Sequence, residues 1–300
     1  VFIGRDNSFK EIFIVSMILA FKYHSYGNDF LIVPVNEINP EDYAELAREI
    51  CHPHSGIGAD GCVYLEESGE EEFQLRIFNR DGSEAGISGN GARCASAFLH
   101  HQDRINKAEV KLQTKSGLKV YTLLESSQSC WKYQSLMGVP DFELESIPMR
   151  SDSGVQSIEN YPLQVEDEKV WIHALSVGNP QCVVFVESFP KELDFKRLGG
   201  GIENHPDFPE RTNVSFVRVD GIDRLQIKIW ERGVGPTYSS GTGSCGAAVA
   251  AIRAGKVKSP VQVHTETGHQ VVEWSPGSAI VLTGEASLVG EIKFHWSQSD

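Results

Sequence analysis

Two glycine-rich segments that follow one pattern constrain the fold of this chain more than any other feature. Residues 74–91 align without a gap to residues 226–243, and each segment ends in Ser-Gly-x-Gly. A shorter match of the form Ser-x-Gly-Asn joins residues 25–28 to residues 176–179. The two offsets are 152 and 151 residues, and chance similarity between glycine-rich turns does not readily produce two matches at nearly one offset. The pattern predicts two copies of one unit, related by a pseudo-two-fold axis.

The length of 300 residues leaves room for two such units. We predict an N-terminal unit at residues 17–150 and a C-terminal unit at residues 151–290. The polar, Gly/Ser-rich segment 150–157 is interpreted as the linker. Residues 1–16 are interpreted as an N-terminal extension and residues 291–300 as a C-terminal tail.

The apolar run at residues 12–21 leaves one alternative open for the N-terminus, because such a run is typical of a signal peptide. It is too short to span a bilayer, and no small-x-small cleavage site follows it. The apolar residues alternate after Met17, as in a β-strand. With Met17 as the translation start, residues 1–16 are an upstream extension without a role in the fold.

Charge and cysteine content narrow the classes of function. The chain has 27 Lys and Arg against 41 Asp and Glu, a formal charge of −14. Such a charge repels nucleic acids and anionic membranes, so neither is expected as a partner. The six cysteines are dispersed without a Cys-x-x-Cys pair, which favours reduced thiols in the cytoplasm over a zinc site or disulfides.

Hydrophobic periodicity predicts alternating strands and helices. The predicted helices are 41–51, 91–101 and 243–254. The predicted strands are 31–34, 62–65, 73–78, 118–123, 171–175, 182–186, 213–218, 225–230, 261–265 and 279–283.

Each Ser-Gly-x-Gly copy opens a predicted helix and thereby places a hydroxyl group beside free backbone N–H groups. Helix starts favour anions, through these donors and through the helix dipole. The simpler interpretation of Ser88 and Ser240 is that each is only an N-cap. If the two helix starts face each other across a cleft, however, they can hold one carboxylate and present two side chains to opposite faces of one carbon. Such a site inverts a stereocentre without a cofactor.

Several amide and charged side chains accompany the repeated motif and can bind a second polar end of a substrate. An Asn in a turn often has only a local role, and placement in the paired motifs is what distinguishes these residues. They are Asn28, Asn79, Asn179, Asn213, Glu231 and Arg232.

The motifs together resemble those of the diaminopimelate epimerase family, in order and spacing, from about Ile18 to the late 280s. The residues that carry the resemblance are His24-Ser-Tyr-Gly-Asn-Asp-Phe30, His54-Ser-Gly-Ile-Gly-Ala-Asp-Gly61, Phe78-Asn-Arg-Asp-Gly-Ser-Glu84, Ser88-Gly-Asn-Gly-Ala-Arg-Cys94, Gly178-Asn-Pro180, Glu203-Asn-His-Pro-Asp-Phe-Pro209, Thr212-Asn-Val214, Glu231-Arg-Gly233 and Ser240-Gly-Thr-Gly243.

The resemblance implies an α/β (α+β) fold of two pseudo-symmetric domains, each a β-sheet or barrel wrapped around a central helix. It also implies a cytoplasmic homodimer without pyridoxal phosphate or a metal, whose substrate is a small amino acid. The family interconverts LL- and meso-diaminopimelate, precursors of lysine and peptidoglycan. By motif, the substrate-holding positions are Asn28, Asn79, Asn179, Asn213, Glu231 and Arg232, and the carboxylate-binding helix starts are Gly89, Asn90, Gly241 and Thr242.

The departures from the family pattern concern the chemistry itself. The resemblance places the two acid/base cysteines of the family at Ser88 and Ser240. Gly61, Gln181 and Pro236 stand where Gln, His and Glu are common. By motif, Glu84 and His54 are candidates for a general base beside a serine. A double Cys→Ser substitution introduced by engineering is an alternative origin, against which further departures at the flanking positions favour natural divergence; these are Ile87, Pro236 and Tyr238.

We therefore expect a diaminopimelate epimerase-like protein that keeps an amino-acid-binding cleft but has weak or no epimerase activity. The alternative is an active cofactor-independent diaminopimelate epimerase, or a related amino-acid racemase or isomerase, that uses Ser88 and Ser240 or a carboxylate.

Overall fold

The computed structural model describes residues 15–35, 38–69, 72–86, 88–151 and 155–297. The expectation for residues 1–14 lies outside these ranges, as do Ile87 and residues 152–154 of the predicted linker. The described residues form seventeen strands, which belong to one continuous sheet, and four α-helices.

The first half of the chain contains eight strands and two α-helices. Its strands are β1 (Val15–Ser25), β2 (Asn28–Pro34), β3 (Gly61–Gly69), β4 (Glu72–Asn79), β5 (Glu84–Ala85), β6 (Glu109–Thr114), β7 (Gly117–Ser126) and β8 (Cys130–Leu136). Its helices are a 3₁₀ turn at Pro40–Asp42, α1 (Tyr43–Ile50) and α2 (Gly89–His101).

The second half contains nine strands and two α-helices. Its strands are β9 (Tyr161–Val165), β10 (Glu168–Ser176), β11 (Pro180–Phe185), β12 (Asn213–Gly221), β13 (Arg224–Glu231), β14 (Gly235–Thr237), β15 (Val261–Thr265), β16 (Gly268–Glu273) and β17 (Val281–Ser297). Its helices are α3 (Glu192–Glu203) and α4 (Gly241–Arg253).

Strand pairing repeats from one half to the other. In the first half, β2 is parallel to β3, β3 is antiparallel to β4, and β4 pairs with β5 and β6. In the second half, β11, β12, β13, β14 and β15 pair in the same orientations. The central helix α2 follows β5 in the first half, and α4 follows the matching strand β14 in the second half. The predicted duplication of one structural unit is therefore confirmed.

The two central helices, α2 and α4, are buried almost all round. Their sequences consist largely of Gly, Ala, Ser and Cys, whose small side chains let the surrounding strands approach closely. A helix that is apolar and small on every face belongs in the interior. Each half thus wraps its sheet around a central helix, as predicted, whereas α1 and α3 cover the outside of the strands with one apolar face each.

The long strand β17 connects the halves. Its first residues pair with β16, residues 281–287 pair with β8, and residues 287–297 pair with β1. Residues 291–297, which we expected in a C-terminal tail, are therefore part of a strand. They pair with the edge of β1 that does not pair with β2. Strand β1 itself begins at Val15, two residues before the predicted start of the N-terminal unit. The division between the units at residue 150 stays a prediction.

The local predictions differ from the structure mainly at strands with polar outer faces. Strands β6, β8, β9 and β16 were not predicted, since their half-exposed sequences give short or interrupted apolar patterns. The short strands β5 and β14 and the helix α3 were not predicted either. Helices α2 and α4 begin two residues earlier than expected. Within the described ranges, the helices are too short or too polar to cross a bilayer.

Candidate functional site

Ser88 and Ser240 are the N-caps of the two central helices. Both have extended backbone, with φ of −132° and −143°. The Ser88 Oγ accepts a hydrogen bond from the Gly91 N–H at 3.1 Å, and the Ser240 Oγ accepts one from the Gly243 N–H at 3.3 Å. Both hydroxyl groups therefore have the capping role that the simpler interpretation gives them, in matching geometry.

Free backbone donors remain at each helix start. The first intrahelical hydrogen bond of α2 runs from the Ala92 N–H to the Ser88 oxygen at 2.9 Å, so the N–H groups of Gly89 and Asn90 precede it. A Cβ at Gly89 would meet nothing within 4 Å, which leaves this backbone open to a ligand. The start of α2 therefore has both the donors and the space for a carboxylate.

A tight hairpin places Asn28 beside the start of α2. The turn between β1 and β2 has only two residues, Tyr26 and Gly27, with φ of 55° and 86°. Positive φ at both positions is the geometry that suits a two-residue hairpin turn. The Asn90 Nδ2 donates to the Asn28 Oδ1 at 3.1 Å, and the Asn28 Nδ2 donates to the Asp60 Oδ2 at 2.8 Å.

The second half builds a shorter network at the start of α4. The buried Gln181 donates through Nε2 to the Asn179 Oδ1 at 2.7 Å. The Asn179 Nδ2 lies 3.5 Å from the Thr242 Oγ1, which is also 3.5 Å from the Ser240 Oγ. The predicted residues Asn179, Ser240 and Thr242 are therefore brought together, and Gln181 fixes the orientation of the amide.

Asn213 and Arg232 form a third group, at the ends of β12 and β13. The Asn213 side chain donates to the Pro180 oxygen at 2.9 Å and accepts from the Arg232 N–H at 3.0 Å. The Arg232 guanidinium donates to the backbone oxygen of Glu210 at 3.0 Å. Asn213 thus holds the loop that carries Arg232 in place.

Glu231 is the carboxylate that the structure places beside Ser240. Burial raises its pKa above the ordinary value, a hydrogen bond from Ser240 lowers it, and the charge of Asp60 raises it further. Asp60 belongs to the first half and Glu231 to the second, and α2 and α4 contact each other. The two helix starts and their polar networks therefore lie in one region between the halves.

Three other predicted residues lie apart from this region or are engaged elsewhere. Asn79 is exposed at the end of β4, where its side chain donates to the Ser83 Oγ at 3.0 Å. Glu84 pairs with Arg76 at 2.9 Å, and hydrogen bonding from Arg76 lowers its pKa. His54 is exposed beside His52. Within the described ranges, neither proposed base contacts Ser88, and the role of Asn79 stays a prediction.

Gly61, which departs from the family pattern, and the two cysteines of the central helices all lie in tightly packed surroundings. A Cβ at Gly61 would lie 2.8 Å from the Phe78 oxygen, so a larger residue requires a shift of β4. Cys94 and Cys245 are fully buried inside α2 and α4, and burial raises the pKa of each thiol to about 12. These thiols are unsuited to act as thiolate bases at neutral pH.

Two residues of the site, Asp60 and Arg93, were not predicted. Arg93, on the second turn of α2, is 1% exposed and donates through Nη1 to the Asn90 Oδ1 at 3.0 Å. The sequence signal was an Arg within an otherwise small and apolar helix. Such a cation is almost never fully buried without a structural or functional reason.

Two surface cavities lie away from the two helix starts. Cavities of about 400 Å³ and 230 Å³ lie beside Arg253 and beside Trp171, and neither is lined by a residue of the helix starts. Among the described residues, no group of three or more His, Cys, Asp or Glu side chains is arranged to hold a metal ion. The predicted independence from metals and other cofactors stays a prediction.

Two like halves, each built around a buried helix whose start faces the junction, define a class of two-domain α/β folds that includes epimerases. Solved structures confirm this class. A phenazine biosynthesis protein of the PhzF family from Bacillus anthracis matches with a TM-score of 0.66 at 18% identity, over 93% of this chain and 99% of that one. A hydroxyproline epimerase from Agrobacterium vitis matches with a TM-score of 0.64 at 15% identity, over 94% and 93% of the two chains.

Sequence comparison then gives the family. The diaminopimelate epimerase family model matches residues 20–143 and 173–289. A diaminopimelate epimerase of Desulfitobacterium hafniense is 35% identical over 89% of this chain and 95% of its own length. That of Methanothermobacter thermautotrophicus is 38% identical over 91% and 97%. The chain belongs to the diaminopimelate epimerase family.

Proposed function

We propose that this chain binds diaminopimelate or a similar amino acid between the two helix starts and that its two-base epimerase activity is weak or absent. The observation that carries this proposal is the presence of serine at both N-cap positions, with each hydroxyl engaged as a cap. Family membership supports the choice of ligand, and the hydroxyl chemistry supports the low activity.

The acidity of the thiol or hydroxyl group determines how readily cysteine or serine acts as a base at the two caps. A free thiol has a pKa of about 8.5, whereas an alcohol ionises near the value for water, about 15.7. The gap of about 7 pKa units, at about 1.4 kcal/mol each, corresponds to on the order of 10 kcal/mol. A helix start contributes about 0.3–2 kcal/mol and one hydrogen bond about 0.5–1.5 kcal/mol. The caps therefore offset only a small part of the deficit.

Binding makes smaller demands than proton transfer, and its groups remain. The N–H groups at Gly89 and Gly241 suit a carboxylate, and the amides of Asn28, Asn90 and Asn179 are held by neighbouring side chains. Glu231 and Arg232 supply one charge of each sign at the junction for the remaining polar groups of an amino acid. These groups support an amino-acid ligand even where the chemistry is slow.

A second candidate function is favoured by Glu231. This carboxylate interacts with Ser240 and has a raised pKa, which is the property of a general base near neutral pH. It serves only one of the two helix starts, since among the described residues no carboxylate contacts Ser88. Such a site removes the α-proton and returns it on the same face, so it exchanges hydrogen without inverting the carbon.

The test is incorporation of deuterium from solvent into LL-diaminopimelate, with separate measurement of the configuration of the α-carbon. We expect little or no exchange. Deuterium with retained configuration supports the second candidate, and deuterium with meso product at ordinary enzyme rates contradicts the proposal. Ser88→Ala combined with Ser240→Ala is the matched control, because any exchange through the hydroxyl groups disappears in this variant.

Restoring both thiols provides the converse test. Ser88→Cys with Ser240→Cys places ionisable groups at the two caps, and we expect epimerisation to appear or to rise by several orders of magnitude. Calorimetric titration with diaminopimelate stereoisomers measures binding independently of turnover. A protein that neither binds these ligands nor gains activity with both cysteines contradicts the assignment of the ligand.

The family resemblance supports an assembly and a compartment for this chain, and its acidic charge supports the expected partners. We propose that the chain functions as a homodimer in the cytoplasm, without nucleic acid or membrane partners. Sedimentation of the purified protein measures the oligomeric state, and a monomer at micromolar concentration contradicts the dimer.

A further inference from the structure

Arg93 is a buried cation in the centre of the molecule. It lies on α2, only 1% of its surface is exposed, and its Nη1 donates both to the Ser25 Oγ at 2.8 Å and to the Asn90 Oδ1 at 3.0 Å. Its Nε is buried and has no hydrogen-bond partner among the described residues. The ion pairs of the described residues do not include Arg93. Burial of a charge without an opposite charge is unfavourable, so this arrangement requires an explanation.

The position of the guanidinium makes the burial of this charge still less favourable. The side chain reaches back to Asn90 in the first turn of α2, at the positive end of the helix dipole. Its charge also acts on Cys245, in the second turn of α4, and lowers the pKa of that thiol against the effect of burial. One cation and the positive ends of two helices are therefore concentrated at the junction of the halves.

Strand β17 provides the space for this cation. A Cβ built at Gly284 would lie 3.0 Å from the Arg93 Cζ and 3.2 Å from both terminal nitrogens. The guanidinium therefore lies against the bare backbone of β17. The duplication does not provide a second such cation, because the residue 152 positions after Arg93 is Cys245.

Arg93 also determines which atoms of the neighbouring amides remain free. A guanidinium only donates, so the Asn90 Oδ1 must point to it, and the Asn90 Nδ2 then donates to Asn28. A carboxylate only accepts, so Asp60 at the other end requires the Asn28 Nδ2. The chain of hydrogen bonds from Arg93 to Asp60 therefore has a single direction. Each amide keeps one N–H for a ligand.

We propose that Arg93 is a positioning residue that supplies the internal countercharge for a ligand carboxylate held between the two helix starts and orients the amides of Asn90 and Asn28 toward that ligand. The proposal deepens the proposed function and rests on it. The carboxylate balances the buried charge of Arg93, so affinity depends on Arg93 although Arg93 does not touch the ligand.

The experiment compares the native protein with Arg93→Met, Arg93→Lys and the control Arg253→Met. Arg253 lies at the opposite end of a central helix, where its ion pair with Glu159 is on the surface. Calorimetry measures the affinity for LL-diaminopimelate, and thermal unfolding is measured with and without this ligand. We expect Arg93→Met to weaken binding at least tenfold without a loss of apo stability beyond that of Arg253→Met. Arg93→Lys, which keeps the charge, retains most of the affinity.

Two results overturn the proposal. One is native-like affinity of Arg93→Met. The other is a large loss of apo stability in that variant together with an unchanged ligand-induced shift of the melting temperature, which indicates a purely structural role. If Arg93→Met does not fold, Gly284→Ala is the second variant, because it displaces the guanidinium and keeps the charge. Two results together then count against a role for the charge itself. Gly284→Ala binds with native-like affinity, and Arg93→Lys binds at least tenfold more weakly than the native protein.

Failure of the proposed function gives a different result. If the native protein does not bind diaminopimelate, the same proteins are compared for stabilisation by acetate and by glutarate. Stabilisation of the native protein and Arg253→Met, but not of Arg93→Met, supports the countercharge although the proposed ligand is wrong. Absence of stabilisation of the native protein by any of these carboxylates overturns the countercharge as well.

Discussion

Single side chains decide what the junction of the two halves can do. Ser88 and Ser240 occupy equivalent positions, but their surroundings differ. Ser240 is buried and interacts with Glu231 and Thr242, whereas Ser88 is partly exposed and has its capping bond to Gly91. A duplicated scaffold therefore carries an unequal pair of sites, and the ionisable group is on the side of α4.

The raised pKa of Glu231 predicts a dependence of stability on pH. Burial disfavours the charged form in the folded protein, so the folded state holds the proton to a higher pH than the unfolded state does. The favourable contribution is complete below the ordinary pKa of Glu and is lost as the pH rises through the raised value. We expect Glu231→Gln to melt at a higher temperature than the native protein above that pH and to lose this advantage near pH 4.

Thermal unfolding from pH 4 to pH 8 measures this effect. The matched control is Glu273→Gln, because Glu273 is exposed on β16. A constant difference between Glu231→Gln and the native protein across the range contradicts the prediction.

The burial of the cysteines predicts selective alkylation. Five of the six thiols are buried, and Cys130 alone is partly exposed. Burial raises the pKa of Cys51, Cys94 and Cys245 to about 12, which further suppresses the reactive thiolate. Iodoacetamide should modify one site in the folded protein and six in urea, as measured by intact mass, and Cys130→Ser should remove the one fast site. Rapid modification of a second thiol in the folded protein is the contrary result.

The sequence predicted which residues lie at the helix starts better than it predicted which side chains contact each other there. Ser88 and Ser240 could be located because the repeated motif marks a helix start, and the family resemblance added Asn90 and Thr242. Arg93 could not, since its burial depends on α4 and on Gly284, nearly 200 residues further along the chain. The proximity of Glu231 to Ser240 likewise depends on the turn through β14.

At the scale of elements, the central helices combine close packing with the support of the site. Gly246 of α4 faces Gln181 of β11, and a Cβ there would lie 2.9 Å from the Gln181 Cβ and 3.0 Å from its Cγ. These atoms are near the backbone and cannot move freely. Gln181 in turn holds the amide of Asn179. The spacing between helix and strand is therefore coupled to the orientation of the Asn179 side chain, for which we propose a role in ligand binding.

Gly246→Ala tests this coupling. Overpacking costs about 1–3 kcal/mol, whereas the better helix propensity of Ala returns about 1 kcal/mol. We expect a lower melting temperature and weaker binding of diaminopimelate. Gly290→Ala is the control, because a Cβ there meets nothing within 4 Å, and its stability should change by less than about 0.5 kcal/mol. Loss of stability with unchanged affinity separates the two effects and refutes the coupling.

Element prediction succeeded where local patterns are strong. The helices end near glycines or polar residues, and Gly255 with φ of 67° follows α4 as a C-terminal stop. The full length of β17 could not be predicted, because residues 284–297 become strand through pairing with β8 and β1 rather than through an apolar pattern of their own.

At the scale of the whole molecule, the halves are copies that do not close separately. Residues 287–297 of β17 supply the neighbour of β1, while the start of the same strand pairs with β16. Tyr26 adds a contact across the junction, since its backbone oxygen accepts a hydrogen bond from the Thr267 Oγ1 at 2.6 Å. We therefore expect cooperative unfolding of both halves in one transition.

Removal of residues 288–300 tests the dependence of the first half on β17. The truncation leaves the pairing with β8 and β16 but exposes one edge of β1, including the buried Ile18 and Phe21. We expect loss of the single cooperative transition, measured by circular dichroism during heating. Truncation after Ser297 is the control, and equal melting curves for both shortened chains contradict the prediction.

The pairing of β1 with β17 also has a consequence for biosynthesis. Strand β1 leaves the ribosome before every other described strand, and its partner leaves after all of them. The first half therefore carries an unpaired, apolar strand edge until residues 287–297 have been synthesised, even while its own central helix and remaining strands are already available. A nascent chain of this protein must keep that edge from aggregating until β17 has been synthesised.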